Sequence, residues 1–131
     1  MMRSDNFDSN LCEGGPAPLK LSTSDYFYIY NSARSGYPSV KPGWDLQYNV
    51  GFAILNGSNP LDILYRCDDP ILSPVLDWEV GNSTVTKSLT PDVVFVEGMV
   101  PYPNGQENEF LIVYGGADSV LGLAKVSVEI V

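Results

Sequence analysis

Ten prolines and twelve glycines are scattered through only 131 residues, and they leave little room for a long helix. Proline removes a backbone donor and clashes with the preceding helical turn, and glycine costs roughly 1 kcal/mol in a helix interior. Between these breaks stand short runs of aromatic and β-branched residues, the signature of strands. Pro18–Ser22 leads through Thr23-Ser24-Asp25 into Tyr26-Phe27-Tyr28-Ile29-Tyr30 and reads as a hairpin. Ser32 to Asp45, with two prolines and two glycines, reads as a long loop. Gln47–Leu55 and Leu61–Arg66 read as strands joined by the Asn56–Pro60 turn, completing a four-stranded meander. Cys67 to Asp92 is irregular. Val93–Val96, Phe110–Tyr114 and Val120–Val126 resume strand character, Gly115-Gly116 separates the last two, and Val128–Val131 is expected to add a short edge. The expected class is all-β.

Size and charge narrow the function. The chain is one domain's worth of residues, and 44% hydrophobic with 18% charged residues suits a packed core. There is no histidine, so Ser-His-Asp or Cys-His catalysis and histidine-held metals are outside this chain's means. Sixteen acidic against seven basic residues give a net charge of −9, which argues against nucleic-acid partners. Cys12 and Cys67 are too few for a zinc cage and too far apart for a redox pair of the CxxC kind; both pairing and two free thiols stay open. Asp68-Asp69 lacks the further spaced oxygens that calcium requires, so no metal or cofactor is expected. No apolar stretch reaches the roughly 18 residues of a membrane span, and Met1–Asn10 lacks the apolar centre of a signal peptide. Two sequons, Asn56-Gly57-Ser58 and Asn82-Ser83-Thr84, are the one hint of a secretory route.

The chain echoes itself. Tyr26–Ala33 resembles Phe110–Ala117 in pattern, and each is followed by a small-residue strand, Val50-Gly51-Phe52-Ala53 and Leu121-Gly122-Leu123-Ala124. The first copy is longer because the Ser32–Asp45 loop intrudes. Repeated four-stranded meanders suggest propeller blades, with the glycines allowing close approach of neighbouring sheets. Blade-like units are expected at about 14–66 and 90–131, with 67–89 as an irregular connection. A propeller needs about four to eight blades of roughly 40–50 residues, so two blades make a partial ring. Such a piece would call for missing N-terminal blades or for self-association.

Six segments in order carry a resemblance that covers nearly the whole chain. They are Gly14-Gly15-Pro16-Ala17-Pro18, Tyr30-Asn31-Ser32, Tyr48-Asn49-Val50-Gly51, Arg66 before Pro70-Ile71-Leu72-Ser73-Pro74, Val93-Val94-Phe95-Val96-Glu97-Gly98, and Tyr114-Gly115-Gly116-Ala117-Asp118. Together they resemble the C-terminal part of glycoside hydrolase family 130, the five-bladed β-propellers of β-mannoside phosphorylases and mannosidases. The resemblance implies two four-stranded antiparallel blades and an oligosaccharide or glycan as partner. It also implies a fragment of a carbohydrate-active enzyme that is inactive alone, because the family's general-acid aspartate belongs to an earlier blade and nothing here matches it.

By that resemblance Asp118 would hold hydroxyls of the mannose beside the cleaved bond, with Tyr114 in the same motif. A carboxylate suits two adjacent hydroxyls because it accepts two charge-assisted hydrogen bonds. Asn31 stands where phosphorylases of the family carry a phosphate-binding histidine. Leu11-Cys12-Glu13 replaces their basic residue before the glycine-rich turn. These departures favour hydrolysis over phosphorolysis, with Glu13 and Glu97 as candidate bases and Trp44 and Arg34 as candidate sugar contacts. Each has a plainer reading: Asp118 as a turn residue, Asn31 as a loop cap, Glu97 as a solvent-facing strand position, Arg34 as a solvated surface group, Trp44 as the anchor of its loop. A carbohydrate-binding module without catalysis, or an assembly-dependent one, is the alternative.

Overall fold

The computed structural model describes residues 2–39, 41–82, 84 and 88–130. Eight strands and one short helix follow in order: β1 (Leu11–Gly14), β2 (Leu19–Lys20), β3 (Tyr26–Arg34), β4 (Gln47–Leu55), β5 (Ile63–Arg66), α1 (Asp77–Val80), β6 (Val94–Pro101), β7 (Glu109–Gly116) and β8 (Val120–Ser127). All pairings are antiparallel. The first sheet has the order β1-β3-β4-β5, with β2 also on β3; the second has the order β6-β7-β8. β1 and β2 occupy the same edge of β3 in succession, Glu13 opposite Asn31 and Leu19 opposite Phe27, with the proline-rich turn as the break between them. The first sheet is thus four strands wide where β2 and β5 flank β3 and β4, and three strands wide beside β1. The second has three, not the four expected.

Phe27, Ile29 and Val50 of the first sheet bury their side chains against Val94, Val96, Phe110 and Ile112 of the second. Phe27 and Phe110 stack at 5.3 Å between ring centroids. Fully burying such a side chain contributes on the order of 1.5–3 kcal/mol. A polar clamp crosses the same interface: the Val96 N–H donates to Asn31 Oδ1 at 2.8 Å, and Asn31 Nδ2 donates to the Val96 carbonyl at 3.1 Å.

That clamp explains one departure from the sequence reading. β3 runs on through Asn31-Ser32-Ala33-Arg34 instead of giving way to a loop at Ser32, because its polar residues find partners inside the fold. Ser32 Oγ donates to the Asn49 carbonyl at 2.9 Å. Gly115 and Gly116 likewise stay in β7, opposite Phe95 and Val94. The expected edge after Val128 does not form as a strand over residues 128–130, and Val131 lies outside the described residues. The single-turn helix α1 was invisible to periodicity at four residues. Ser83 of the second sequon also lies outside the described residues.

The internal echo has a structural basis, though not the anticipated one. Tyr30 pairs directly with Gly51, and Tyr114 with Gly122. A Cβ on Gly51 would fall 2.5 Å from Tyr30 Cζ, and one on Gly122 2.6 Å from Tyr114 Cζ. The glycines therefore seat the tyrosine ring of the adjacent strand and do not bring two sheets together. An aromatic–acid dipeptide caps each pair. Phe7 stacks on Tyr30 while Asp8 Oδ2 accepts the Tyr30 hydroxyl at 3.0 Å. Trp78 stacks on Tyr114 while Glu79 Oε1 accepts the Tyr114 hydroxyl at 2.8 Å.

Candidate functional site

Where β1, β4, β6 and the β7–β8 turn converge, a cavity of about 280 Å³ is lined by Glu13, Trp44, Tyr48, Thr90, Val93, Phe95 and Asp118. Glu13 comes from β1, Tyr48 from β4 and Phe95 from β6. Strand alternation turns Glu13 and Tyr48 to the side of the first sheet that faces the second. The Tyr48 and Phe95 rings lie 6.4 Å apart.

Asp118 is held by its turn. The Ser119 N–H closes onto the Gly116 carbonyl at 3.0 Å, with Ala117 (φ 47°) and Asp118 (φ 51°) both left-handed. That conformation is uncommon for alanine and needs support from its surroundings. The support comes from the segment before β6. The Ala117 N–H donates to the Val93 carbonyl at 3.0 Å, and the Ala117 carbonyl accepts from the Leu89 and Thr90 N–H groups at 3.3 Å each. Asp118 itself is exposed, its carboxylate presented by a turn fixed on both sides.

Burial raises the Tyr48 phenol above its ordinary value, and the negative charges of Glu13 and Asp118 raise it further. The two carboxylates therefore flank one hydroxyl that stays protonated and can donate. Trp44 closes another side: its Nε1 is buried without a hydrogen-bond partner among the described residues, and Lys41 Nζ sits 5.8 Å above its ring. Among the described residues no lysine or arginine lines the cavity. The cavity is thus acidic, with aromatic walls and hydrogen-bonding groups of both polarities, the kind of surface that receives a polyhydroxylated ring. Among the described residues no cluster of histidine, cysteine, aspartate or glutamate could hold a metal ion.

Of the residues singled out from sequence, Glu13, Trp44 and Asp118 meet here; the others lie elsewhere. Asn31 spends its amide on Val96. The Tyr114 hydroxyl points to buried Glu79, where burial and that carboxylate raise its pKa. Glu97 is exposed at the irregularity in β6 between Val96 and Gly98. Arg34 lies on the opposite face of the first sheet, donating through Nε to Gln47 Oε1 at 2.8 Å and packing over Tyr37. There it borders a larger polar groove of about 800 Å³ with Asn6, Asn49 and Ser73. Tyr48 was quoted in a motif but not as a site residue; its signal is its place opposite Ala33, one pair from the Asn49–Ser32 pair beside β1. Both cysteines are free thiols beside the Tyr30–Arg66 cluster.

Comparison with known proteins fixes the family. The model of a glycoside hydrolase family 130 protein, described as β-1,4-mannooligosaccharide phosphorylase, matches residues 2–131. A β-1,2-mannobiose phosphorylase of Thermoanaerobacter sp. is 34% identical over 82 residues, 63% of this chain and 24% of its own length. A 1,2-β-oligomannan phosphorylase of the same organism is 31% identical over 111 residues, 85% of this chain and 30% of its own length. The solved structure of the Listeria innocua β-1,2-mannobiose phosphorylase in complex with β-1,2-mannobiose superposes with a TM-score of 0.74 at 25% identity, over 96% of this chain and 30% of that one. A further structure, from work on glycoside hydrolases of the family that target β-1,2-mannosidic linkages in Candida mannan, gives 0.75 at 28% identity, over 96% and 32%. The chain spans about a quarter to a third of the length of these relatives. It belongs to glycoside hydrolase family 130, and its two sheets have the fold of part of that family's propeller.

Proposed function

We propose that the chain supplies the sugar-binding wall of an enzyme that cleaves β-mannosidic bonds, with water rather than phosphate as the attacking group. The observation that carries this reading is the single cavity that holds Glu13, Tyr48 and Asp118 and, among the described residues, no cationic lining residue. Phosphate entering it would meet two carboxylates and, among the described lining residues, no cation, an arrangement that disfavours an anion. A neutral mannoside would meet acceptors for its hydroxyls in Asp118 and Glu13, and a donor in Tyr48. Asp118 would accept from two vicinal hydroxyls. Glu13 would take a proton from a water attacking the anomeric carbon. Inverting hydrolysis places that base and the general acid about 6.5–9.5 Å apart so that water fits between them. The acid is assigned to no residue of this chain, and turnover by the 131 residues alone is not expected. The two Thermoanaerobacter relatives are phosphorylases, and this reading departs from that activity because Asn31 and Leu11-Cys12-Glu13 stand where the resemblance calls for phosphate-binding residues.

Fusing this chain to the upstream blades of the Thermoanaerobacter β-1,2-mannobiose phosphorylase tests the reading. The fusion is expected to release mannose from β-1,2-mannobiose at the same rate with and without phosphate, and Glu13→Gln to slow release about 100-fold or more. Mannose 1-phosphate as the product would refute hydrolysis. A second reading, a module that binds glycans or assembles with other subunits, is favoured by exposed apolar residues at the sheet edges: Leu61 (92% exposed) in the turn before β5, and Leu121 (73%) and Leu123 (67%) on β8. It predicts a stable oligomer in light scattering and no turnover by the fusion.

A further inference from the structure

The polar groove of about 800 Å³ on the far face of the first sheet is larger than the 280 Å³ cavity and shares no lining residue with it. Gln47 and Tyr48 are neighbours on β4, and strand alternation turns them to opposite faces. The groove and the cavity therefore lie back to back across one strand.

Gln47 lines the groove although it is only 5% exposed. Its Oε1 accepts from Arg34 Nε at 2.8 Å, which fixes the orientation of the amide. Nε2 is then the atom left over, and among the described residues nothing accepts from it. It is not sealed off: the fully buried polar atoms without a partner belong to Trp44, Ser88 and Asp92. A buried amide that keeps an unspent donor open to a groove is waiting for an acceptor from outside the fold.

Two more lining side chains have one function spent and the other left. Asn6 Oδ1 accepts the Phe7 N–H at 2.7 Å, so its Nδ2 remains as a donor. Ser73 Oγ donates to Asn49 Oδ1 at 2.7 Å, so its lone pairs remain as acceptors. Asn49 is spent on both sides, because its Nδ2 donates to the Gln47 carbonyl at 3.2 Å.

This fixed polarity selects the ligand. Asp5, Asp68 and Asp69 line the groove against one arginine, Arg34, which disfavours phosphate. The N–H donors of Gln47 and Asn6 disfavour a metal ion, which takes oxygen ligands. A neutral ligand with many hydroxyls, each able to donate and accept, suits all three groups.

We propose that this groove is a second glycan site, in which Gln47 Nε2 and Asn6 Nδ2 donate to sugar oxygens and Ser73 Oγ accepts from a hydroxyl. The inference rests on the mannoside reading above for the kind of glycan, and goes beyond it in assigning a separate site on the reverse of β4. A glycan held there has a raised effective concentration at the cavity.

An NMR titration of the isotope-labelled chain with β-1,2-mannotetraose tests the proposal, because the Gln47 side-chain N–H pair reports on the groove and the Tyr48 and Asp118 amides report on the cavity. Saturable shifts are expected at the side-chain amides of Gln47 and Asn6 and at the Ser73 backbone amide. Gln47→Met, similar in length but without the amide, should weaken binding at the groove about tenfold more than at the cavity. Gln47→Glu keeps an acceptor for Arg34 and removes the donor, so it gives the same readout if the methionine variant fails to fold. Shifts at the cavity alone would overturn the second site and leave the mannoside reading of the cavity standing. Shifts at the groove alone would keep the second site and overturn that reading. No shifts at either would overturn both. Equal weakening at both sites in the Gln47 variants would show a structural residue and overturn the inference.

Discussion

The two sheets are latched by the same device built from different chemistry. In each, a tyrosine ring lies over the glycine of the neighbouring strand, an aromatic residue stacks on it, and the next residue's carboxylate accepts the tyrosine hydroxyl. In the first sheet the acid is Asp8, neutralised by ion pairs from Arg3 at 2.9 Å and Arg66 at 2.6 Å. In the second it is Glu79, satisfied by two backbone N–H groups at 2.9 Å each. The first latch draws on side chains from three distant stretches, Arg3, Tyr30 and Arg66. The second closes largely within its own five residues, 75–79. One should depend on charge and long-range order, the other on local backbone geometry.

The largest expected effect comes from removing the acid of the charged latch. Asp8→Ala leaves two arginines, each about a quarter exposed or less, facing one another without their shared partner. Breaking a buried pair in this way costs about 3 kcal/mol or more. Glu79→Gln, which keeps an acceptor for Tyr114, should cost about 1–2 kcal/mol. Urea midpoints of the two variants check the order, and equal losses would dissolve the contrast.

Filling the ring seats comes next. Gly51→Ala and Gly122→Ala each drive a methyl into a tyrosine ring that has no room to retreat, for about 1–3 kcal/mol apiece. Similar losses at both sites would confirm that the sequence echo records one repeated packing unit.

The smallest effect is the pH response, and only the first latch should show it. Burial pushes the Asp8 carboxyl up, but hydrogen bonds from Arg3 and Tyr30 and the charges of Arg66 and Arg3 outweigh it, and the group ends below its ordinary value. A carboxyl lowered by folding stabilises the fold above its unfolded pKa of about 3.9, and that stability is lost as pH falls through the folded value. Thermal midpoints should therefore fall below about pH 4 more steeply in the unmodified protein than in Asp8→Asn. Parallel curves would show that Asp8 is not the titrating group.

The legible and illegible parts of the sequence divide along the same line. β4 was readable to the residue, because Gln47–Leu55 carries β-branched and aromatic residues between clear breaks. The Tyr–Gly echo was readable as a pattern, but the ring seat behind it was not, since cross-strand register appears in no local window. Neither latch acid could be foreseen. Asp8 stands in a polar stretch that reads as a solvated start, and its burial is decided by Arg66 far along the chain. β1 was missed for the same reason: four residues containing a glutamate and a glycine become a strand only because β3 offers them an edge. Of the site, Asp118 and Glu13 were found through the family motif. Asn31 drew attention for a ligand role because its motif is the family's, whereas its amide serves the inter-sheet clamp.

An NMR titration of the isotope-labelled chain, with β-1,2-mannobiose and separately with inorganic phosphate, tests the site most directly. The account predicts saturable shifts with the mannobiose at the amides of Glu13, Tyr48, Ala117 and Asp118 and at the Trp44 indole, and none there with phosphate. Saturable shifts at those positions with phosphate, or mannobiose shifts confined to other faces of the sheets, would contradict it.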